Sequence, residues 1–214
     1  MTGKVSFAIN IKQKPVSPFS DYINHLKPVL QNQVDNFQAG RLAMFNDCWQ
    51  TITRDRRILN TVKGLSIEFI DLPYQKFVPN EYKHTDEELS YLSGEIQKLL
   101  TKGVIVKANW EENQYVSNIF LRDKKDGSYR MILNLSKLNE SIEYHKFKMD
   151  TFLTALSLVT PNCYMASIDF KDAYYSVPVK ESHRKWLRFT FQGELFEFTC
   201  LPNGLSSDQD CSLR

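Results

Sequence analysis

The sequence has few of the features that mark a membrane protein, a secreted protein or a structural metal site. No apolar run approaches the roughly 20 residues that span a bilayer, and the N-terminus lacks the apolar segment of a secretory signal. The four cysteines lie far apart and include no C-x-x-C pair, which argues against a disulfide framework and against zinc. We therefore expect a protein without membrane segments that is intracellular, either cytoplasmic or nuclear.

A large excess of one charge is also missing. The 27 lysines and arginines nearly balance the 25 aspartates and glutamates, which leaves a net charge of +2. This balance neither requires nor excludes a nucleic-acid partner, and any basic surface must be local. Aromatic residues make up 13% of the 214 residues, which is too many for a chain that is disordered throughout.

The first part of the chain is polar and the remainder is patterned. Residues 1–34 are polar and interrupted by prolines, so we predict a flexible lead-in. Residues 35–80 are predicted to form an N-terminal extension and connector. This segment has a helix near Leu42–Thr53 and then enters the extended, proline-containing stretch "LPYQKFVPNEYKH".

The clearest helix signal lies in "HTDEELSYLSGEIQKLLTKG". Thr85 and Glu88 have the spacing of a capping box, and Gly103 is a natural end for the helix. Apolar residues recur on one face, namely Leu89, Leu92, Ile96, Leu99 and Leu100. We expect this stripe to pack in the core rather than to bind a partner.

Strand patterns dominate after Gly103. The segments "YVSNIFLRD" and "SYRMILNLS" flank the turn "KKDG", and "WLRFTF" and "LFEFTC" flank "QGE", so two hairpins are predicted. Between the hairpins, "DTFLTALSLV" indicates a helix and "CYMASIDF" a strand. This order of elements predicts an α+β fold rather than a doubly wound sheet.

Side chains suited to chemistry follow the strand in "SIDFKDAYYSV". Asp169 at the strand end either caps the next turn or binds Mg²⁺, to which the backbone carbonyl of Phe170 would add a second oxygen. Tyr174 either packs in the core or lies under a sugar ring, where its bulk would exclude a 2′-hydroxyl. We expect Tyr175 to be packing.

Two further stretches have both an ordinary and a functional interpretation. Lys124, Lys125 and Arg130 lie in or near the "KKDG" turn, which is either a soluble turn or a basic tip that closes over a triphosphate. In "CLPNGLSS", Asn203 is an ordinary turn residue, but its amide is also able to contact a base or a sugar.

In combination and in this order, the stretches resemble the reverse transcriptases of retroviruses and retrotransposons. "SIDFKDAYYSVPV" resembles the first catalytic segment of these RNA-directed DNA polymerases, "KKDGSYRMILNLSKLNE" their fingers hairpin, and "FTCLPNGLSS" the segment before the long palm helix. "GRLAMFNDCWQTITRD", "NTVKGLSIEF" and "YHKFKMDT" are most similar to the DIRS-like group, within a broader DIRS-like or gypsy-like set of elements. The resemblance covers roughly Asn36 to Ser207.

The resemblance implies a catalytic and metal-binding role for Asp169. It would be the first of three aspartates in a two-ion Mg²⁺ site, and Phe170 would lend a carbonyl oxygen. The reaction would be transfer of a nucleotide to a primer 3′ end. The implied partners are an RNA or DNA template–primer and deoxynucleoside triphosphates.

The resemblance also implies nucleotide contacts. Lys124 or Lys125 would touch the γ-phosphate, and Arg130 would hold the triphosphate. Asp172 and Ala173 would offer backbone N–H groups to phosphate, and Tyr174 would be the sugar gate. Asn203 would make a further contact with the nucleotide. Asn203 stands where many members of the family have glutamine, which is one methylene longer.

The same resemblance predicts subdomains and an incomplete active site. Residues 81–207 would be a truncated reverse-transcriptase domain with fingers at about 85–160 and a partial palm at about 161–207, and 208–214 would be an aberrant tail. No Tyr-x-Asp-Asp motif occurs, so we expect a fragment with little or no polymerase activity alone. The alternative is a non-catalytic RNA- or DNA-binding remnant. The apolar strand around Ile168 is expected to expose an edge.

Overall fold

The structure, a computed structural model, describes residues 4–8, 37–124, 127–143, 152–160, 165–170 and 172–206. The chain forms two compact units. The smaller unit comprises Met1–Phe37, Lys146–Lys171 and Gln209–Arg214, and the larger unit comprises Gln38–His145 and Asp172–Asp208. The predicted tail at 208–214 and most of the predicted lead-in lie outside the described residues.

The described part of the smaller unit contains strand β1 (Lys4–Ala8), helix α5 (Phe152–Leu158) and strand β5 (Met165–Asp169). β1 pairs antiparallel with β5, with Val5 opposite Ile168. The sequence pattern predicts β5 and α5 but not β1, which lies within the predicted flexible lead-in. The expectation of an exposed edge around Ile168 is wrong for the edge that β1 covers.

The larger unit begins with three short helical segments. A 3₁₀ helix (Arg41–Phe45) leads directly into α1 (Asn46–Ile52), which confirms the helix predicted near Leu42–Thr53. α2 (Arg56–Lys63) starts at Asp55, whose carboxylate accepts the N–H of Arg57 at 2.8 Å. Such a cap satisfies one of the N–H groups that the first turn of a helix leaves without a partner.

Helix α3 (Asp86–Thr101) confirms the predicted capping box. The N–H of Glu88 donates to the Thr85 hydroxyl at 3.3 Å, and the N–H of Thr85 donates to the Glu88 carboxylate at 2.8 Å. Three residues of the apolar stripe are buried, Leu92, Ile96 and Leu99. The stripe therefore packs in the core of the larger unit, as its spacing predicts.

Both predicted hairpins are present in the larger unit. β3 (Ile119–Asp123) pairs with β4 (Tyr129–Leu133), and β6 (Arg188–Phe191) pairs with β7 (Glu194–Phe198). β2 (Ile105–Lys107) adds to β7 on its other side, so the second sheet has the order β2-β7-β6. All of these pairings are antiparallel, as expected for an α+β protein with short connections.

The core of this unit lies on the β2-β7-β6 sheet. Phe189 on β6 packs against Phe196 and Phe198 on β7, with ring centroids 5.4 Å and 5.9 Å away, and all three are buried. Three short segments complete the unit: α4 (Ser136–Asn139), a 3₁₀ helix (Tyr174–Ser176) and α6 (Glu181–Arg184). Over the described residues, no helix is long and apolar enough to cross a membrane.

Candidate nucleotide-binding site

The turn that begins at Asp172 has a backbone suited to anion binding. Asp172 has a φ of 55°, whereas Ala173 has a φ of −53°. Successive residues in the left-handed and right-handed helical regions are able to turn their N–H groups toward a common point, which suits a phosphate oxygen. Asp172 and Ala173 are two of the predicted nucleotide-binding residues, and the prediction assigned them backbone contacts.

A hydrogen bond within the turn and an ion pair with Lys102, the residue that follows helix α3, hold this backbone. The Ser176 N–H donates to the Ala173 carbonyl at 3.1 Å, which closes the 3₁₀ turn that contains Tyr174. The Lys102 ammonium lies 2.6 Å from the Asp172 carboxylate, and the two side chains are only 35% and 22% exposed. The carboxylate of Asp172 is therefore engaged by lysine and has a structural role in the turn.

Tyr175, the next-to-last residue of the 3₁₀ turn, is half-buried. Burial raises the pKa of its hydroxyl above the ordinary value of 10.0. The neighbouring Cys200 and Asp172 add to the rise, and Arg130 opposes it. The charges of Asp172 and Arg130 thus act on the pKa of the same hydroxyl with opposite sign. Tyr175 stays neutral at ordinary pH.

Arg130 occupies the position on the returning strand that the sequence predicts. It is half-buried and pairs in register with the exposed Arg122 of β3. The strand is fixed to helix α3, because the Tyr91 hydroxyl donates to the Tyr129 carbonyl at 2.6 Å. Arg130 therefore lies on a strand that is anchored to helix α3, whereas Arg122 on the same hairpin is exposed to solvent.

Lys124 lies at the exposed tip of the same hairpin. Its N–H donates to the Ser128 carbonyl at 2.7 Å, and its carbonyl accepts the Gly127 N–H at 3.1 Å. Lys125 is outside the described residues. The choice between the two lysines as the γ-phosphate contact therefore stays a prediction.

Asn203 lies in an exposed turn of the larger unit. The side chain of Asn139 holds the following residues, because its amide donates to the Gly204 carbonyl at 2.9 Å and its oxygen accepts the Ser206 N–H at 2.9 Å. Asn139 was missed by the sequence analysis. A lone asparagine at the end of a short helix gives no local signal for a contact 65 residues away.

The two metal candidates belong to the smaller unit. Asp169 is the last residue of β5, and Phe170 follows it with 51% of its surface exposed. No group of three or more His, Cys, Asp or Glu residues that would hold a metal ion occurs among the described residues.

Comparison with known proteins shows similarity to retroviral polyproteins. The Pol polyprotein of equine infectious anemia virus (strain Wyoming) is 28% identical over 134 residues, which are 56% of this chain and 11% of that protein. The Gag-Pol polyprotein of bovine immunodeficiency virus (strain R29) is 30% identical over 128 residues, 56% of this chain and 8% of that protein. The chain thus spans about a tenth of these relatives. No family model matches it.

Solved structures show the fold. The crystal structure of the prototype foamy virus protease-reverse transcriptase CSH mutant aligns with a TM-score of 0.58 and 18% identity, covering 87% of this chain and 23% of that one. The native form of that protein gives 0.54 and 20%, covering 66% and 19%. The fold is that of polymerase-type reverse transcriptases, with mixed helices and strands. The chain is thus similar in sequence to retroviral Pol polyproteins and in fold to a protease-reverse transcriptase.

Proposed function

We propose that this chain supplies the nucleotide-binding part of an RNA-directed DNA polymerase of a DIRS-like or gypsy-like retrotransposon. Residues 81–207 would carry fingers at about 85–160 and part of the palm at about 161–207, with 35–80 as an N-terminal extension. The observation that carries the proposal is the turn at Asp172 and Ala173, where φ changes from 55° to −53° and the Asp172 carboxylate is held by Lys102.

Each candidate residue has a distinct task in this proposal. The N–H groups of Asp172 and Ala173 bind phosphate oxygens, and the guanidinium of Arg130 makes paired hydrogen bonds to the triphosphate. Lys124 or Lys125 supplies a point charge at the γ-phosphate. The two remaining candidates act on the nucleoside, with Tyr174 excluding a 2′-hydroxyl and Asn203 contacting the nucleotide.

The chemical step needs more than these residues. We propose that Asp169 and the carbonyl of Phe170 are the contribution of this chain to a two-ion Mg²⁺ site, where the metal neutralises phosphate charge. A site with two ions about 3.5–4 Å apart requires further carboxylates. The 214 residues contain no Tyr-x-Asp-Asp motif to supply them. The 214-residue chain alone is therefore proposed to have little or no polymerase activity.

Equilibrium binding of dATP with Mg²⁺ tests this function. Arg130→Gln should weaken binding about 10-fold or more, because a hydrogen bond to a charged group contributes about 1.5–3 kcal/mol. Arg122→Gln is the matched control on the same hairpin, since Arg122 faces Arg130 in register but is exposed. It should change binding less than about 2-fold.

Three results would contradict the proposal in different ways. Equal effects of the two arginine variants would remove Arg130 from the site. Extension of a DNA primer on an RNA template by the purified chain, abolished by Asp169→Ala, would show that the catalytic set is complete. Salt-dependent binding of an RNA–DNA hybrid without any dATP binding would favour the non-catalytic nucleic-acid-binding alternative.

A further inference from the structure

Two consecutive residues of the N-terminal extension bind both helix α3 and the candidate turn. The Ala39 N–H donates to the Lys102 carbonyl at 3.1 Å, and the Gly40 N–H donates to the Tyr175 carbonyl at 2.8 Å. Ala39 and Gly40 thus bridge the end of α3 and the 3₁₀ helix that contains Tyr174. We name this pair of residues the clasp.

Gly40 satisfies two requirements that another residue would violate. Its φ is +67°, in the left-handed region that side chains rarely adopt. A Cβ atom at Gly40 would also lie 3.1 Å from the Cβ and 3.4 Å from the Cα of Pro178. The backbone of the clasp therefore approaches the residues after Tyr175 at a distance that only glycine permits without a shift.

Lys102 connects the clasp to Asp172. Its carbonyl accepts the Ala39 N–H, and its ammonium lies 2.6 Å from the Asp172 carboxylate. Asp172 has a positive φ of 55°, a conformation that costs a non-glycine residue free energy and persists where its surroundings hold it. The ion pair with Lys102 is a contact that holds Asp172 there.

A second contact from the N-terminal extension holds the far side of the turn. The Leu65 N–H donates to the Pro178 carbonyl at 2.8 Å, and the Lys180 N–H donates to the Leu65 carbonyl at 3.0 Å. Leu65 thereby pairs with the backbone just beyond the 3₁₀ helix. The extension contacts the segment that contains the turn on both sides of Ser176.

We propose that the clasp and Lys102 hold the Asp172–Tyr175 turn in its nucleotide-binding conformation, and that Gly40 and Lys102 are positioning residues for selection of deoxyribose over ribose. The positioning role rests on the proposed function. The contact point of the clasp is next to the proposed sugar-facing residue, because the clasp binds the carbonyl of Tyr175, which directly follows Tyr174. A turn released from the clasp would place Tyr174 less closely against the 2′ position.

Hydrogen exchange of single variants tests the clasp without any nucleotide. Gly40→Ala should raise the exchange of the Ala173–Val177 amides about 10-fold, because it adds backbone strain and displaces the bond to Tyr175. Gly193→Ala is the matched control, since Gly193 has a φ of +78° but nothing within 4 Å of an added Cβ. It should leave these amides unchanged. Equal exchange in wild type and Gly40→Ala, or an equal rise in both variants, would overturn the clasp.

The ratio of dATP to ATP affinity tests the positioning role. Lys102→Met should lower this ratio about 5-fold or more, within the usual range of coupling between residues in contact, and Lys102→Arg should restore it. Lys102→Met adds no backbone strain. If Gly40→Ala does not fold, hydrogen exchange of the Ala173–Val177 amides is measured in Lys102→Met instead. Loss of affinity for both nucleotides at a constant ratio would overturn the positioning role. A wild-type chain that binds neither nucleotide would contradict the proposed function, whereas the exchange result decides the clasp separately.

Discussion

At the scale of single residues, Arg188 is a buried cation that joins three segments of the larger unit. Its guanidinium lies 2.7 Å from the carboxylate of Glu197 and 2.7 Å from that of Glu111, and its side chain is 7% exposed. It also donates to the side-chain oxygen of Gln114 at 2.6 Å and to the Asn109 carbonyl at 3.1 Å. Arg188 therefore ties the loop before β3 to the β6–β7 hairpin.

Arg188→Met should lower the free energy of unfolding by about 3–5 kcal/mol, because it leaves two carboxylates without their buried partner. Lys107→Met is the matched control on the same sheet. Lys107 lies 2.6 Å from Glu194, but the side chains are 63% and 55% exposed, so the change should be about 0–1 kcal/mol. Urea unfolding measures both values. Similar losses in the two variants would mean that burial does not set the strength of the Arg188 network.

Single-residue features differ in how far the sequence predicts them. Arg130 lies on the second strand of the hairpin, as predicted, because the position of the turn fixes which residues form that strand and which residues they pair with. The roles of Lys102 and Arg188 were not predicted, because Asp172 lies far from Lys102 along the chain and Glu111 lies far from Arg188. Glu197 lies near Arg188 in the sequence, but it becomes a direct neighbour only through the register of the β6–β7 hairpin. The left-handed conformation of Asp172 was missed for the same reason, since its surroundings rather than its residue type hold it.

At the scale of elements, the short helix α6 fastens the extension that follows α2. The Ile67 N–H donates to Nδ1 of His183 at 3.2 Å, and this bond requires an unprotonated nitrogen. Burial lowers the pKa of His183 below its ordinary 6.5, and the charges of Lys180 and Lys185 lower it further. The folded state therefore favours the neutral imidazole, which keeps the bond to Ile67.

The stability of the larger unit should consequently fall as the medium becomes acidic. Below about pH 6.5 the unfolded chain binds a proton at this histidine that the folded chain resists, so the free energy of unfolding decreases as the pH drops. His183→Asn retains an acceptor for Ile67 without titrating and should show a flatter decrease. Urea unfolding at about pH 7 and about pH 5 measures the difference. The same decrease in both proteins would exclude His183 as its source.

The elements that the sequence predicts well are those with local causes. Capping residues and the helical spacing of apolar side chains define α3, and turn residues between alternating strands define both hairpins. Strand β1 was missed because five residues in a polar segment carry little signal without their partner. That partner, β5, lies some 160 residues further along the chain, and only the folded chain brings the two together.

At the scale of the whole molecule, the candidate residues are divided between the two compact units. The larger unit holds the described nucleotide candidates, Lys124, Arg130, Asp172, Ala173, Tyr174 and Asn203, and the smaller unit holds Asp169 and Phe170. The order of the motifs predicted a fold like that of a protease-reverse transcriptase, which the comparison with solved structures supports. Motif order could not predict the contacts of the N-terminal extension with the Asp172 turn, which depend on backbone geometry at Gly40 and Leu65.

Hydrogen exchange of the 214-residue protein with and without dATP and Mg²⁺ tests the central claim most directly. The proposed site predicts that the nucleotide slows exchange in Asp172–Val177 and in the Tyr129–Leu133 strand, while Arg56–Lys63 is unaffected. Exchange that stays unchanged in both the turn and the strand at saturating dATP would contradict the claim that this chain carries a nucleotide-binding site.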